Sequence, residues 1–236
     1  MRAYVYFIMA RTWGGVPVIT EPTEGYDPGS VFKPRNPVSE VFALIKQDLD
    51  AALALYPSDA FPPGRSLWSK PATQALKGDV YLWTAQRAGG GNADATTALQ
   101  ALQQVQSADV ALLPSYDDVF RYTNKGNKEI LMAVHFEDLE SGENYNNSMY
   151  VRDDQIPAAA TAYSKALIGT GGGLNRWAPS QVLRDQFTGD DARENATFAE
   201  IYVAQAGGDS TFNASAVRKF RGFVESGTRK FLDDVV

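Results

Sequence analysis

Cysteine is missing altogether from this 236-residue chain, and histidine occurs once, at His135. The first absence excludes disulfides, thiolate nucleophiles, iron–sulfur clusters and cysteine-ligated zinc. It leaves the compartment open, because a cysteine-free chain suits a reducing and an oxidising space equally. The second excludes zinc sites built on a histidine pair and leaves a Ser-His-Asp triad only one possible base. Basic clusters are missing too: 22 Lys+Arg stand against 28 Asp+Glu, a formal charge of −6. Nucleic-acid phosphates are gripped by grouped Lys and Arg, so this balance argues against that class of partner. No apolar run approaches the ~20 residues needed to cross a bilayer. The longest, AYVYFIMA from Ala3 to Ala10, follows Arg2 and has no small-residue cleavage site behind it. It reads as a helix cut short at its front end rather than as a signal peptide, and any targeting segment is expected outside this sequence.

What is present is the composition of a folded chain: 44% hydrophobic and 21% charged residues, enough apolar material for a sizeable core in one or two domains. Arg2 to Trp13 is almost wholly apolar or aromatic and stops at Gly14-Gly15, a good place for a left-handed helix end. VPVIT is then extended, and a Gly- and Pro-rich loop runs to Asn36. Asn36-Pro37 offers a capping side chain before a proline tolerated in a first turn. Val38, Val41, Phe42, Ile45, Leu49, Ala52 and Leu53 follow on one helical stripe, which Tyr56-Pro57 ends. Ser69 caps a helix from about Pro71 to Arg87, in which the small residues Ala75 and Gly78 allow close approach of a neighbour. AGGGN leads into a third long helix, from about Ala93 to Ser107.

The last two helices make an αα-hairpin of the size of one tetratricopeptide repeat, and Gly78 with Tyr81 keeps that repeat's G-x-x-Y spacing. The helices at Arg2–Trp13 and Val38–Leu55 are expected to form a second hairpin. Two hairpins are fewer than a solenoid needs, so further helices or the remaining residues must cover the open face.

Beyond Ser107 the texture changes. LLPSYDDVF is a turn and a short helical piece, and EILMAVHF alternates Ile130, Met132, Val134 and Phe136, which predicts a half-buried strand. Glu137 to Asp154 is an acidic, Asn-rich loop; a short helix, Ala158 to Leu167, precedes the glycine-dense Gly169–Gly173. Ser180 caps a short helix carrying Val182, Leu183 and Phe187, and the tail mixes short strands with loops. The expected fold class is mainly α, tetratricopeptide-like hairpins with an irregular, loop-rich region of short strands. A helical scaffold is expected over 1–110 and a loop-rich ligand-binding region over 111–236.

Seven segments in this order carry a resemblance. They are RTWGGVPVIT (Arg11 to Thr20), S-E-V-F-x-x-I-x-x-D-L-x-x-A (Ser39 to Ala52) with LYP after it, and GRSLWSKPATQALKGDVYLW (Gly64 to Trp83). SYDDVF (Ser115 to Phe120), NKEILMAV (Asn127 to Val134), APSQVLRDQFTGDDAR (Ala178 to Arg193) and the nearby Thr197-Phe198 complete the set. Together they resemble the SusD/RagB-like glycan-binding lipoproteins of the Gram-negative outer membrane. The family's N-terminal signal, lipid-attached cysteine and C-terminal helices have no counterpart here, so the sequence resembles the middle of one such domain, truncated at both ends. The resemblance implies a surface lipoprotein that captures glycan, associates with the membrane only through a lipid anchor, and passes oligosaccharide to a SusC-like TonB-dependent transporter. It implies no enzyme and no cofactor. Some members of the family favour peptides, so a helical-repeat scaffold for peptide or protein ligands stays open as an alternative.

Sugar binding needs a flat aromatic for the C–H face of the ring and polar side chains for its hydroxyls. Trp177, beside Asn175 and Arg176 after a flexible glycine run, fits that demand; the competing reading is a local anchor packed under its loop. Tyr145 and Tyr150, among Asn144, Asn146 and Asn147, are the next candidates, against ordinary surface tyrosines. Trp13 and Trp83 are expected in the core, Trp68 in packing, and His135 as a hydrogen-bonded scaffold residue. Glu137, Asp138, Glu140 and Glu143 lack EF-hand spacing and read as a solvated acidic loop rather than a calcium site. The doublets Asp153-Asp154 and Asp190-Asp191 do not establish the flanking carboxylates of a glycosidase. In the resemblance, Asp191 and Arg193 form a structural ion pair. GTGGG neither follows a strand of a βαβ unit nor ends in G-K-[ST], so it is not a nucleotide loop.

Overall fold

The computed structural model describes residues 1–22, 24–140 and 145–236. Two compact units divide it, Met1–Val110 and Ala111–Val236.

The first unit is helical: α1 (Arg2–Trp13), the single turn α2 (Pro28–Val31), α3 (Val38–Leu55), α4 (Lys70–Arg87) and α5 (Gly91–Gln106). α1 packs on α3, α3 on α4, and α4 on α5. The core forms because α1 turns Ala3, Tyr6, Phe7 and Ala10 towards Val41, Phe42, Ile45 and Leu49 of α3, with Val80 of α4 against both. Spacings of three and four bring these residues onto facing stripes, and removing them from water drives the association. Phe7 meets Phe42 and Trp83 edge-on, with ring centroids 6.3 and 6.4 Å apart. Arg2 and Asp48 close one end with two hydrogen bonds of 2.7 and 2.6 Å.

Two local expectations are corrected here. Asn36 does not cap α3, whose N-cap is Pro37. Its Oδ1 instead accepts from the Val18 N–H at 2.9 Å, and its Nδ2 donates to Glu40 at 2.9 Å, tying the extended VPV segment to the start of α3. Trp13 is not core: it is 57% exposed, because the buried stripe of α1 ends one turn earlier, at Ala10, and Trp13 is the last helical residue. Trp83 is half-buried against the core, and Trp68 packs on Tyr4 at 5.5 Å.

Ser69 does cap α4, accepting from the Ala72 N–H at 3.3 Å. Gly78 lets α5 close in, since a Cβ there would lie 2.7 Å from Cγ and Cδ2 of Leu102. Alanine at Gly78 is therefore expected to lower stability in urea unfolding through overpacking. In a Leu102→Ala background the same change should become stabilising by about 1 kcal/mol, the helix-propensity difference. Additivity of the two substitutions would contradict the contact.

Among its described residues the second unit holds α6 (Tyr116–Val119), α7 (Ala162–Ile168), α8 (Gln181–Arg184), α9 (Glu194–Thr197) and four strands. β1 (Phe198–Ala204) pairs antiparallel with β2 (Ser210–Val217), with an irregularity between Ile201 and Tyr202; β3 (Phe223–Glu225) pairs with β4 (Thr228–Lys230). Its core joins Tyr150, Val151, Ala160, Ile168, Ala199, Ile201, Ala216 and Phe231.

The strand expected at Ile130–Phe136 does not form. Val134 makes a single bridge to Val235, the next donor, Phe136 N–H, is taken by the Asp234 carboxylate, and Val134 is 54% exposed. Alternation alone is insufficient; a strand needs a neighbour that continues the ladder. Asp117, on α6, accepts from Arg121, Arg218 and Arg221 and organises the charged interior of this unit.

Candidate functional site

The two candidate loops are brought together. Five consecutive N–H groups, from Gly173 to Trp177, donate to carbonyls of the segment Asn147–Val151. Gly173 reaches Val151 at 2.8 Å, Leu174 reaches Asn147 at 2.7 Å, and Asn175 reaches Tyr150 at 2.9 Å. Arg176 and Trp177 both reach Ser148, at 2.6 and 3.3 Å. Glycine makes this approach possible: a Cβ on Gly173 would sit 2.2 Å from the Tyr150 carbonyl oxygen, and one on Gly171 2.8 Å from the Asp153 nitrogen. The glycine run read as flexible is thus a packed seam.

Arg229 locks that seam from beneath. It is buried, donates to the carbonyls of Thr170 (2.8 Å) and Gly171 (3.0 Å), and lies 4.4 Å from the Tyr150 ring centroid. Burial lowers the guanidinium pKa from its ordinary value.

The predicted site residues separate into two groups. Trp177 is 58% exposed and Tyr145 51% exposed, and Arg176 is exposed beside Trp177. Trp177 is therefore not packed under its loop. Tyr150 is a correction: at 1% exposure it is core, its hydroxyl donates to the Ile168 carbonyl at 2.8 Å, and burial pushes its pKa up. It cannot stack on a ligand. Asn175 is half-buried with φ 42°, and its amide already donates to Gln155 Oε1 at 2.9 Å and to the Ser215 carbonyl at 3.0 Å. It shapes the loop rather than offering a free amide. Asn146 is buried and Asn147 half-buried. Glu143 and Asn144 lie outside the described residues.

The other chemistry-bearing residues are engaged in structure. His135 sits between Asp234 and Glu137, each at 3.0 Å. Asp138 pairs with Lys230 at 2.7 Å, and among the described residues no three His, Cys, Asp or Glu converge as a metal site. Asp191 and Arg193 make the ion pair expected of them, at 2.6 Å, and Arg193 holds the Asp191 carboxyl down to about 2. Arg152 pairs with Asp154.

Arg184, Ser215 and Arg229, which build the surroundings of Trp177, escaped the sequence reading. Arg184 looks like any arginine one turn after a cap, Ser215 like any strand serine, and Arg229 like a tail cation. Only the S-x-x-x-R spacing from Ser180 to Arg184 hinted that the arginine returns to its own helix start.

Residues 1–82 match the SusD-like_3 family model, described as "Starch-binding associating with outer membrane". A "SusD-like protein" of Bacteroides ovatus is 28% identical over 206 residues, 84% of this chain and 35% of its own length. A crystal structure of a SusD superfamily protein from Bacteroides vulgatus superposes with a TM-score of 0.86 at 32% identity, over 99% of this chain and 50% of that one. A further crystal structure, with xylogluco-oligosaccharide, gives a TM-score of 0.67 at 25% identity, over 93% of this chain and 44% of that one. The chain thus spans about a third of the length of the curated relative and half that of the first solved one. The family match falls on the helices α1 to α4 while the superposition runs on through the loop-rich unit, so the chain is similar to SusD-like proteins along most of its length.

Proposed function

We propose that this chain supplies the glycan-binding loops of a non-catalytic surface protein. That protein captures oligosaccharide or polysaccharide and delivers it to a SusC-like TonB-dependent transporter in the outer membrane. In this reading residues 1–110 are the tetratricopeptide-like scaffold and 111–236 the ligand-binding region. The whole protein in this reading is a surface-exposed lipoprotein held to the membrane through a lipid anchor. Among the described residues no helix is long and apolar enough to cross a membrane.

The observation that carries the proposal is the Trp177 indole, more than half exposed on a backbone pinned by two hydrogen bonds to Ser148. An exposed indole on an ordered loop offers a flat apolar face, and the C–H face of a sugar ring suits it. Arg176 stands on the stitched segment beside Trp177 and offers hydrogen-bond donors for hydroxyls, and exposed Tyr145, two residues before Asn147, offers a second ring. The relative with xylogluco-oligosaccharide supports carbohydrate as the ligand class. Binding without bond cleavage asks for no tuned acid–base pair, and one member of each carboxylate doublet, Asp154 and Asp191, is tied up in an ion pair.

Affinity electrophoresis in gels containing different polysaccharides tests this directly. Trp177→Ala should weaken binding by about 2 kcal/mol, roughly thirtyfold, as expected for a central aromatic anchor. Its melting temperature should stay close to wild type, because the side chain is exposed. Retardation unchanged by the substitution, or none with any glycan, would sink the proposal.

A further inference from the structure

The segment that carries Trp177 is tied at both ends to one residue of β2, Ser215. At the front, Asn175 Nδ2 donates to the Ser215 carbonyl at 3.0 Å. At the back, the Pro179 carbonyl accepts from Ser215 Oγ at 3.3 Å and from Arg184 Nη1 at 2.8 Å, and the same Nη1 reaches Ser215 Oγ at 3.1 Å. The two ties fall two residues before and two residues after Trp177.

Arg184 is the centre of this arrangement. Its side chain is only 8% exposed, its Nε donates to Glu200 Oε1 at 2.6 Å, and its Nη2 donates to Gln181 Oε1. The guanidinium lies 4.7 Å from the centroid of the Phe212 ring, and Glu200 accepts on its second oxygen from the Tyr202 hydroxyl. A surface ion pair would need one of these contacts. A planar fork that donates in three directions while stacking on a ring is a task for arginine and not for lysine.

We infer that Arg184, Ser215 and Asn175 form a positioning clamp that sets the Trp177 loop in one conformation before any ligand arrives. A loop ordered only on binding loses affinity to the entropy of ordering its side chains and backbone. The clamp meets that cost during folding. Its effect on Trp177 mobility rests on geometry alone; its effect on affinity rests on the sugar-stacking role proposed above.

The test uses the full chain labelled with 5-fluorotryptophan, the Trp177 resonance being identified by its disappearance in Trp177→Phe. Wild type should give a single narrow line. Arg184→Lys keeps the charge opposite Glu200 but cannot reach Pro179 and Ser215 together, and should broaden or split that line while leaving the other three tryptophans unchanged. Ser215→Ala removes one hydroxyl and should do the same to a smaller degree; it decides the matter if the lysine variant does not fold. Affinity is read on maltoheptaose, xyloglucan oligosaccharide and laminarin, and for whichever is retained should fall about tenfold in Arg184→Lys. Saturating glycan should restore the narrow line. A narrow, unchanged Trp177 line in Ser215→Ala overturns the clamp, and a broadened line with unaltered affinity overturns its role in binding. If wild type retains none of the three glycans, the sugar-binding proposal is what fails, and the fluorine line still decides the clamp.

Discussion

Asp117→Ala is expected to destabilise the second unit by about 3 kcal/mol, the low end of the range for breaking a buried ion pair because the Asp117 side chain is 22% exposed. The carboxylate accepts from Arg221 through both oxygens, at 2.8 and 2.9 Å, from Arg218 at 3.0 Å and from Arg121 at 2.6 Å. Arg218 also donates to the carbonyls of Leu167 and Asn195, so it cannot swing away without breaking two more hydrogen bonds. Without Asp117, Arg218 and Arg221 would face each other with no counter-charge between them. Desolvation works against the Asp117 carboxylate, but the guanidinium hydrogen bonds and charges outweigh it and bring its pKa down to about 2.

That depression has a sign in pH. A carboxyl with a lower pKa folded than unfolded contributes stability that is complete above about 4 and lost as pH falls through about 2. The amount is about 2 kcal/mol, from a shift of nearly two pK units at 1.36 kcal/mol each. Asp117→Asn should lose this contribution, so its stability, measured by urea unfolding from pH 7 to pH 2, should fall less steeply at the acid end than wild type. Parallel curves for the two proteins would contradict the account.

Gly173→Ala should be as damaging, about 3 kcal/mol, and should abolish glycan retardation together with stability. The new Cβ would fall 2.2 Å from the Tyr150 carbonyl oxygen and 2.8 Å from its Cβ. Neither neighbour can yield: the carbonyl accepts the Asn175 N–H, and the Tyr150 ring is core, against Arg229 and edge-on to Phe231. The two loops would have to part, removing the five hydrogen bonds that hold Trp177 in place. As a contrast, Gly189→Ala in the same unit meets nothing within 4 Å and should change melting temperature little. Equal melting temperatures for Gly173→Ala and wild type would refute the close packing of the seam.

The helical hairpins were legible because their signals are local. Val41, Phe42, Ile45 and Leu49 repeat at helical spacing, Ser69 precedes Pro71, and each mark acts within a turn or two. Gly78 was legible for the same reason, a small residue on an apolar helix face answered by Leu102. Where a signal depended on a distant partner it misled. Ile130 to Phe136 alternates like a strand, yet Asp234 takes the donor that a neighbouring strand would need. Asn36 has the right type for a cap, yet its oxygen is taken by Val18. Tyr150 sits among asparagines like a surface residue, yet Arg229 and Phe231, some eighty positions later, enclose it.

By itself the sequence determined the class of the fold, the places where the long helices begin and end, the exclusion of thiol and histidine-pair chemistry, and an aromatic at residue 177 on a loop. These follow from residue type and short-range spacing, which the chain carries wherever it goes. The tertiary structure alone decided which tryptophans face water, that the glycine run is a packed seam, and that Arg184 and Ser215 hold Trp177 from both sides. Those outcomes depend on which carbonyls, rings and charges meet across tens of residues, and no spacing along the chain encodes such a meeting.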